Sequence, residues 1–239
     1  MIKSSQLAAM LLTSLAVLST MAFADEYQDP DPLQELNRKA HSFNLKLDDY
    51  MARPAAKLYT NTVPDPLEKG IGNFFSNLDE LTNIVNDLLQ AKFAQAANDT
   101  GRFLINSTIG VGGLFDVAQR AGLPKSEGED FGQTLGAWGV AEGPYLMLPL
   151  IGPSTLRDAP SKFVDSFANP LSYLDDVSDR NSLRAVSLVS TRADLLGLDD
   201  VISGDSYLFV RDVYLQRREY LVNDGAIEDD FGDLEDYDY

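Results

Sequence analysis

The stretch Gly143–Pro153, GPYLMLPLIGP, decides how this chain can be built. It carries no charge and a single phenol, yet Pro144, Pro149 and Pro153 cut it, so it cannot be one long helix. It also falls far short of the roughly 20 apolar residues that a membrane-crossing helix requires. In lipid, irregular backbone survives only where protein covers it or where it lines a watery cavity. Two arrangements remain. The segment is either an ordinary buried core loop, or one wall of a compact helical body that sits in a membrane and encloses a polar passage.

Upstream, Phe131–Pro153 holds five glycines and one charge, Glu142. A second glycine-rich apolar stretch, Ile109–Phe115 (IGVGGLF), adds to it. Gly110, Gly112, Gly113, Gly136 and Gly139 are expected to serve backbone geometry and close packing. Together these stretches add up to a large apolar surface with few charges, which keeps the membrane-seated arrangement open beside the core loop.

Helical periodicity dominates on either side. Leu33, Leu36, Ala40, Phe43, Leu47 and Tyr50 recur at steps of three and four, after an Asp31 cap and Pro32 in the first turn. Arg53-Pro54 is expected to end that helix, and Pro54 to start a shorter one through Tyr59. Val63-Pro64-Asp65-Pro66 opens a segment carrying Leu67, Ile71, Phe74, Phe75 and Leu78, and Asp79-Glu80 is expected to start another through Leu89. A helix is predicted from Lys92 to Ile105. Ser154 or Thr155 is expected to cap one through Phe167. Others are expected at about Ser182–Leu196 and from about Ser203 onwards. No internal repeat is visible and strand alternation is scarce. The predicted fold is all-α, with amphipathic helices whose aromatic-rich faces suit a membrane interface.

The ends differ from the middle. Residues 1–24 read as a cleavable secretory signal: Lys3, the apolar run LAAMLLTSLAV, then Ala22-Phe23-Ala24 before a polar start at Asp25. A helical domain is expected over residues 25–222. Residues 223–239 carry eight acids and no Lys or Arg, and are expected to form a disordered tail, either solubilising or a docking strip for a basic partner. The formal net charge is −18, which excludes nucleic acid as a partner and simple electrostatic docking on anionic lipid.

Chemistry finds little support. Without cysteine there is no thiol nucleophile, disulfide or cysteine metal site, and His41 is the only histidine. A zinc site of ordinary type cannot be built, G-x-S-x-G is absent, and Gly110-Val111-Gly112-Gly113 lacks the Lys and Ser/Thr of a phosphate loop. Asp48-Asp49, Asp175-Asp176 and Asp199-Asp200 lie near element ends, where capping accounts for them. No enzyme activity, metal or cofactor is expected.

Three stretches resemble the MlaA/VacJ family of Gram-negative outer-membrane proteins: DPLQELNRKAHSFNLKLDDYMARPAAKLY from Asp31, the run VPDPLEKGIGNFFSNLDELTNIVNDLLQAKFAQAANDTGRFLINSTIGVGGLFDVAQRAGL from Val63, and EDFGQTLGAWGVAEGPYLMLPLIGPSTLRD from Glu129. The resemblance implies a ring-like assembly of amphipathic helices around a central channel, with a Gly/Pro-rich segment that dips into the membrane, lying in the inner leaflet of the outer membrane and facing the periplasm. It implies a non-enzymatic role, in which phospholipid misplaced in the outer leaflet is removed and passed to a periplasmic lipid carrier, with a trimeric porin as a partner. It implies lipid-path or membrane contacts at Trp138, Tyr145, Leu146, Leu148 and Leu150, head-group contacts at Arg102 and Asn106, and a ring-closing motif of Asn37, Phe43 and Asn44. Phe43 is expected to pack in the core. Asn44 is expected either to clasp two elements or to line the channel. Family members carry a lipobox cysteine that this sequence lacks, which leaves open a soluble periplasmic lipid-binding or scaffold protein. A lipid-acting hydrolase is a further rival.

Overall fold

The computed structural model describes residues 31–201 and 204–226. The expected signal peptide and most of the acidic tail, residues 227–239, lie outside them. Helix α1 (Gln34–Leu47) starts without a side-chain cap. Asp31 is buried instead and accepts from Asn37 Nδ2 at 2.9 Å. The expected stop at Arg53-Pro54 does not occur. A π-turn, Asp48–Ala52, carries the helical backbone into α2 (Arg53–Thr62). Pro54 falls in the first turn of α2, where a missing N–H costs least, and the widened turn rephases the ladder around it. Arg192 grips that turn through two bonds to Asp48, at 2.7 and 2.9 Å.

Helix α3 (Asp65–Leu89) is one continuous rod where two segments are expected. Asp79 and Glu80 start nothing; they ride inside it. A short turn with Ala91 at φ +60 leads into α4 (Phe93–Thr108), which packs along α3. Short acid-capped elements follow. Asp116 caps α5 (Val117–Arg120) and Asp130 caps α6 (Phe131–Ala137). Beyond α7 (Asp158–Asp165) and a 3₁₀ turn (Pro170–Tyr173), Asp176 caps α8 (Val177–Asp194). A second 3₁₀ turn (Leu196–Val201) precedes α9 (Ser206–Val222), capped by Asp205. Thr155 Oγ1 accepts from Asp158 N at 3.2 Å, ahead of α7.

The fold is mostly helical, with one departure from the all-α expectation. Tyr145–Leu148 (β1) and Gly152–Thr155 (β2) form an antiparallel hairpin, registered Tyr145↔Thr155 through Leu148↔Gly152. Tyr145 and Met147 are buried while Leu146 and Leu148 are half-buried, so the strand does alternate. The alternation is hidden in the sequence because both faces of β1 are apolar. Leu150 takes the left-handed position at the tip, φ +68, where glycine is usual.

The distribution of polarity is the main finding. On α1 the buried residues are Asn37 and His41, whereas Leu36 and Phe43 are exposed. On α3 the interior face is Asn77, Glu80, Asn86 and Asp87, and Leu67, Val85 and Leu88 face out. On α4, Asp99, Arg102 and Asn106 are buried, and Phe93 and Leu104 face out. Charged residues are almost never fully buried unless paired, and here most are. Arg102 Nε donates to Glu80 Oε1 at 2.8 Å, its Nη1 to Leu123 O at 2.8 Å, and its Nη2 to Asp116 Oδ2 at 3.1 Å. One orthodox apolar cluster exists: Tyr145, Met147 and Tyr207, with Leu208, Val210, Tyr214 and Leu215 against it.

Gly132 leaves no room for a side chain. A Cβ there would lie 2.4 Å from Asp158 Oδ1, inside the network that joins α6, α7 and α9. Arg218 Nη2 donates to Asp130 Oδ1 at 3.0 Å, its Nε lies 2.8 Å from Asp158 Oδ2, and Tyr214 OH donates to the same oxygen at 2.9 Å. Burial opposes ionisation of Asp130, but the Arg218 guanidinium outweighs it and holds that carboxyl below its usual range.

Candidate functional site

The expected site residues fall into three groups. Asn37 and Asn44 meet the hairpin. Asn37 donates to Tyr145 O and accepts from Met147 N, both at 2.9 Å. Asn44 donates to Leu148 O at 2.9 Å and accepts from Leu150 N at 2.8 Å. Each primary amide stands in for a peptide of a third strand, so the outer edge of β1 has no unpaired backbone at these points. Asn44 therefore clasps a helix to a hairpin. Phe43 is 49% exposed and does not pack in the core, because α1 turns its amides inward and its apolar stripe outward. Tyr145 is 1% exposed, among the rings of Tyr207 and Tyr214, and is core rather than membrane contact. Leu146 and Leu148 are half-buried. Leu150 at the tip is exposed, with Ile151 beside it.

Trp138 stands apart from the hairpin. Its ring is exposed, meets Phe131 edge-on, and donates from Nε1 to Leu89 O at 3.2 Å. Arg102 and Asn106 form the third group and are structural. All three guanidinium nitrogens of Arg102 are engaged, as above. Asn106 Nδ2 donates to Asp116 Oδ1 at 3.1 Å and its Oδ1 accepts from Ala118 N at 2.9 Å. Both side chains are buried, and neither lines the two cavities described below. Their work is to tie the loop after α4 to the α3–α4 pair.

A well-formed concavity lies away from the expected sites. A cavity of about 860 Å³ opens between α3, the loop 125–130, the C-terminal end of α7 and α8. It lies within the range of roughly 300–1,000 Å³ typical of small-molecule sites. Its wall is amphipathic: Asp79, Thr82, Asn83, Lys125, Asp165 and Arg184 lie alongside Phe75, Leu171 and Leu188. Burial pushes the Asp79 carboxyl up to about 6, with Lys125 opposing; the exposure Asp79 retains is onto the cavity it lines. Burial likewise pushes Asp165 up to about 6, although it accepts from Asn86 Nδ2 at 3.1 Å and Phe131 N at 2.9 Å. A second cavity of about 750 Å³, lined by the start of α4 and by Tyr220 and Asp224, shares Lys125, Ser126, Glu127 and Glu129 with the first, so the loop 125–129 is a partition between them. That loop is fastened by Ser126 Oγ to Asp99, by Lys92 and Gln90 to Glu129, and by Glu129 N to Asn83. A sequence signal for the cavity did exist. Asp79, Thr82, Asn83 and Asn86 share one face of α3, but a polar helical face ordinarily means solvent.

Among the described residues, no helix is long and apolar enough to cross a membrane, and no group of three or more His, Asp or Glu side chains could hold a metal ion. What the geometry defines is a helical protein with charge and amides inside, leucine and phenylalanine outside, and an amphipathic cavity. The chain belongs to the MlaA lipoprotein family, whose model matches residues 29–221. It is 36% identical to the intermembrane phospholipid transport system lipoprotein MlaA of Escherichia coli, across 93% of this chain and 95% of that protein. It is 32% identical to the protein of the same name from Haemophilus influenzae, across 82% and 81%, and 39% identical to an uncharacterized protein of Rickettsia felis, across 79% and 76%. A solved chain from work on the structural basis for maintenance of bacterial outer membrane lipid asymmetry superposes with a TM-score of 0.73 at 40% identity, covering 81% of this chain and 99% of that one.

Proposed function

We infer that this protein is a non-enzymatic phospholipid transport component of the outer membrane. In this reading it sits in the inner leaflet facing the periplasm, as a collar of helices around a channel. It takes phospholipid that has strayed into the outer leaflet and passes it to a periplasmic lipid carrier, beside a trimeric porin. The observation that carries the reading is the reversed polarity of α1, α3 and α4. A surface of exposed Leu36, Leu67, Leu88, Phe93 and Leu104 is costly in water at roughly 25 cal/mol per Å² and costs nothing against acyl chains. The same leucines weigh against the soluble periplasmic carrier, which the net charge alone would favour.

The cavity suits the task. Moving a head group through hydrocarbon leaves its polar atoms without partners, at several kcal/mol each. The Asp79–Asn83 and Arg184 walls supply such partners, and Phe75 and Leu188 supply apolar surface for the chains. No bond need form or break. In this reading the exposed apolar surface contributes to holding the protein in the leaflet.

Deleting the gene and labelling phospholipid exposed at the cell surface tests this directly. Surface phospholipid is expected to rise, and the intact gene supplied in trans to restore it. An unchanged surface in the deletion strain, or all of the protein recovered in the soluble periplasmic fraction, would end the proposal.

A further inference from the structure

Three of the charges that border the cavity are spent on the fold. Glu129 is held by Lys92, Asp130 by Arg218 and Glu127 by Arg217. Six others are not. Asp79, Asp165 and Asp194 on one side of the ledger, and Lys125, Lys162 and Arg184 on the other, all line the cavity, and none is ion-paired among the described residues. Arg184 touches only Ser172 Oγ, at 3.3 Å. Asp165 spends Oδ1 on Asn86 and Phe131 and leaves Oδ2 without a protein donor, and Asp79 has no hydrogen-bond donor at all among these residues. The two carboxyls come from different elements, α3 and α7, and the cations from the loop 125–130, α7 and α8.

A cavity with three carboxylates and three cations, none in a contact ion pair among the described residues, has no net preference for an anion. It matches a ligand that carries both signs. We propose that the cavity selects the zwitterionic phosphoethanolamine head group over anionic phosphoglycerol, the ammonium lying against Asp79 and Asp165 and the phosphate against Arg184 with Lys125 or Lys162. A phosphoglycerol head satisfies the cations but leaves two half-desolvated carboxylates facing a like charge. A phosphocholine head carries the same charge as phosphoethanolamine but has no N–H, and so cannot bond Asp165 Oδ2 or Asp79. Partial burial already makes these two carboxyls reluctant to ionise alone, and a bound ammonium relieves that. This selectivity rests on the phospholipid reading above.

The test uses the full chain reconstituted in vesicles of dioleoyl phosphatidylethanolamine, phosphatidylglycerol and phosphatidylcholine in equal amounts, so that only the head group differs. The protein is then extracted in mild detergent, and the lipid it retains is counted by native mass spectrometry. Wild type is expected to retain phosphatidylethanolamine about fivefold over either competitor, the discrimination that one partly screened ion pair provides. In Asp79→Asn,Asp165→Asn the preference over phosphatidylglycerol should vanish while lipid is still retained. Asp79→Asn breaks no bond of the fold, and its preference should fall by about half; it carries the test should the double variant not fold. Retention in the bulk ratio, enrichment of phosphatidylglycerol, or an undiminished preference in Asp79→Asn overturns the selectivity and leaves the transport reading standing. Wild type that retains no lipid removes both.

Discussion

Two regions of the molecule obey opposite rules. Around Tyr145, Met147 and Tyr207 the chain buries rings and aliphatic side chains, as a water-soluble domain does. Along α3 and α4 it buries Glu80, Arg102, Asp99 and Asn106 and turns leucines out. The first region is held by removal of apolar surface from water. The second is held by hydrogen bonds and ion pairs, each strong because little water competes inside. Helix α3 meets lipid in the proposed setting, so burying leucine there would gain nothing, and directional polar contacts are what distinguish one packing from another.

The contrast can be broken or sharpened by mutation, in detergent micelles where unfolding is followed by circular dichroism. The largest effect is expected from Arg102→Leu, which strands Glu80 without a counter-charge and should cost about 3–5 kcal/mol. Glu80→Leu,Arg102→Leu should recover most of it. A double variant as damaged as the single would show that packing rather than charge holds α3 to α4. Next, Asn37→Ala removes both partners of buried β1 backbone groups and should cost about 1–3 kcal/mol, seen as a lower unfolding midpoint.

Asp87 runs the other way. It is fully buried, and neither carboxylate oxygen accepts a hydrogen bond. Burial, then Asp99 and Glu129, pushes it up to about 7. The folded state therefore holds a proton that the unfolded chain, at an ordinary 3.8, has released. Stability falls as pH rises from about 4 to 7, and the full cost stands above 7. Asp87→Asn is expected to stabilise the protein at pH 8 by about 1–3 kcal/mol, a gain that fades towards pH 4. A pH-independent gain would place the cause outside ionisation. The smallest effect belongs to the exposed apolar surface: Leu36→Ser and Leu67→Ser should each change stability by less than about 0.5 kcal/mol, yet weaken co-flotation with liposomes. Unchanged flotation would detach that surface from the membrane.

Much of the helical content was legible in periodicity, because the 3.6-residue repeat is the same whichever face is buried. What periodicity does not carry is which side faces in. Phe43 and Leu36 mark a face of α1 correctly and its direction wrongly, since a leucine stripe signifies the interior only when the surroundings are water. The same assumption hid the cavity: Asp79, Thr82 and Asn83 have the spacing of a solvated face. Pro54 misled for another reason, since a π-turn is a backbone event without a composition signal. The resemblance puts Arg102 and Asn106 on the head-group path, but only the positions of Glu80, Asp116 and Ala118, distant in sequence, show that their donors and acceptors are already committed.

The pairing of Asn37 and Asn44 with β1 has one more consequence. Seven helical residues rise about 10.5 Å, and three strand residues, from Tyr145 to Leu148, advance about 10 Å. The two repeats nearly coincide, so the helix acts as a ruler for the strand. Sliding the hairpin by one residue turns the bonded carbonyls and N–H groups away from both amides together. No half-engaged setting exists, and alignment at this junction is a digital choice.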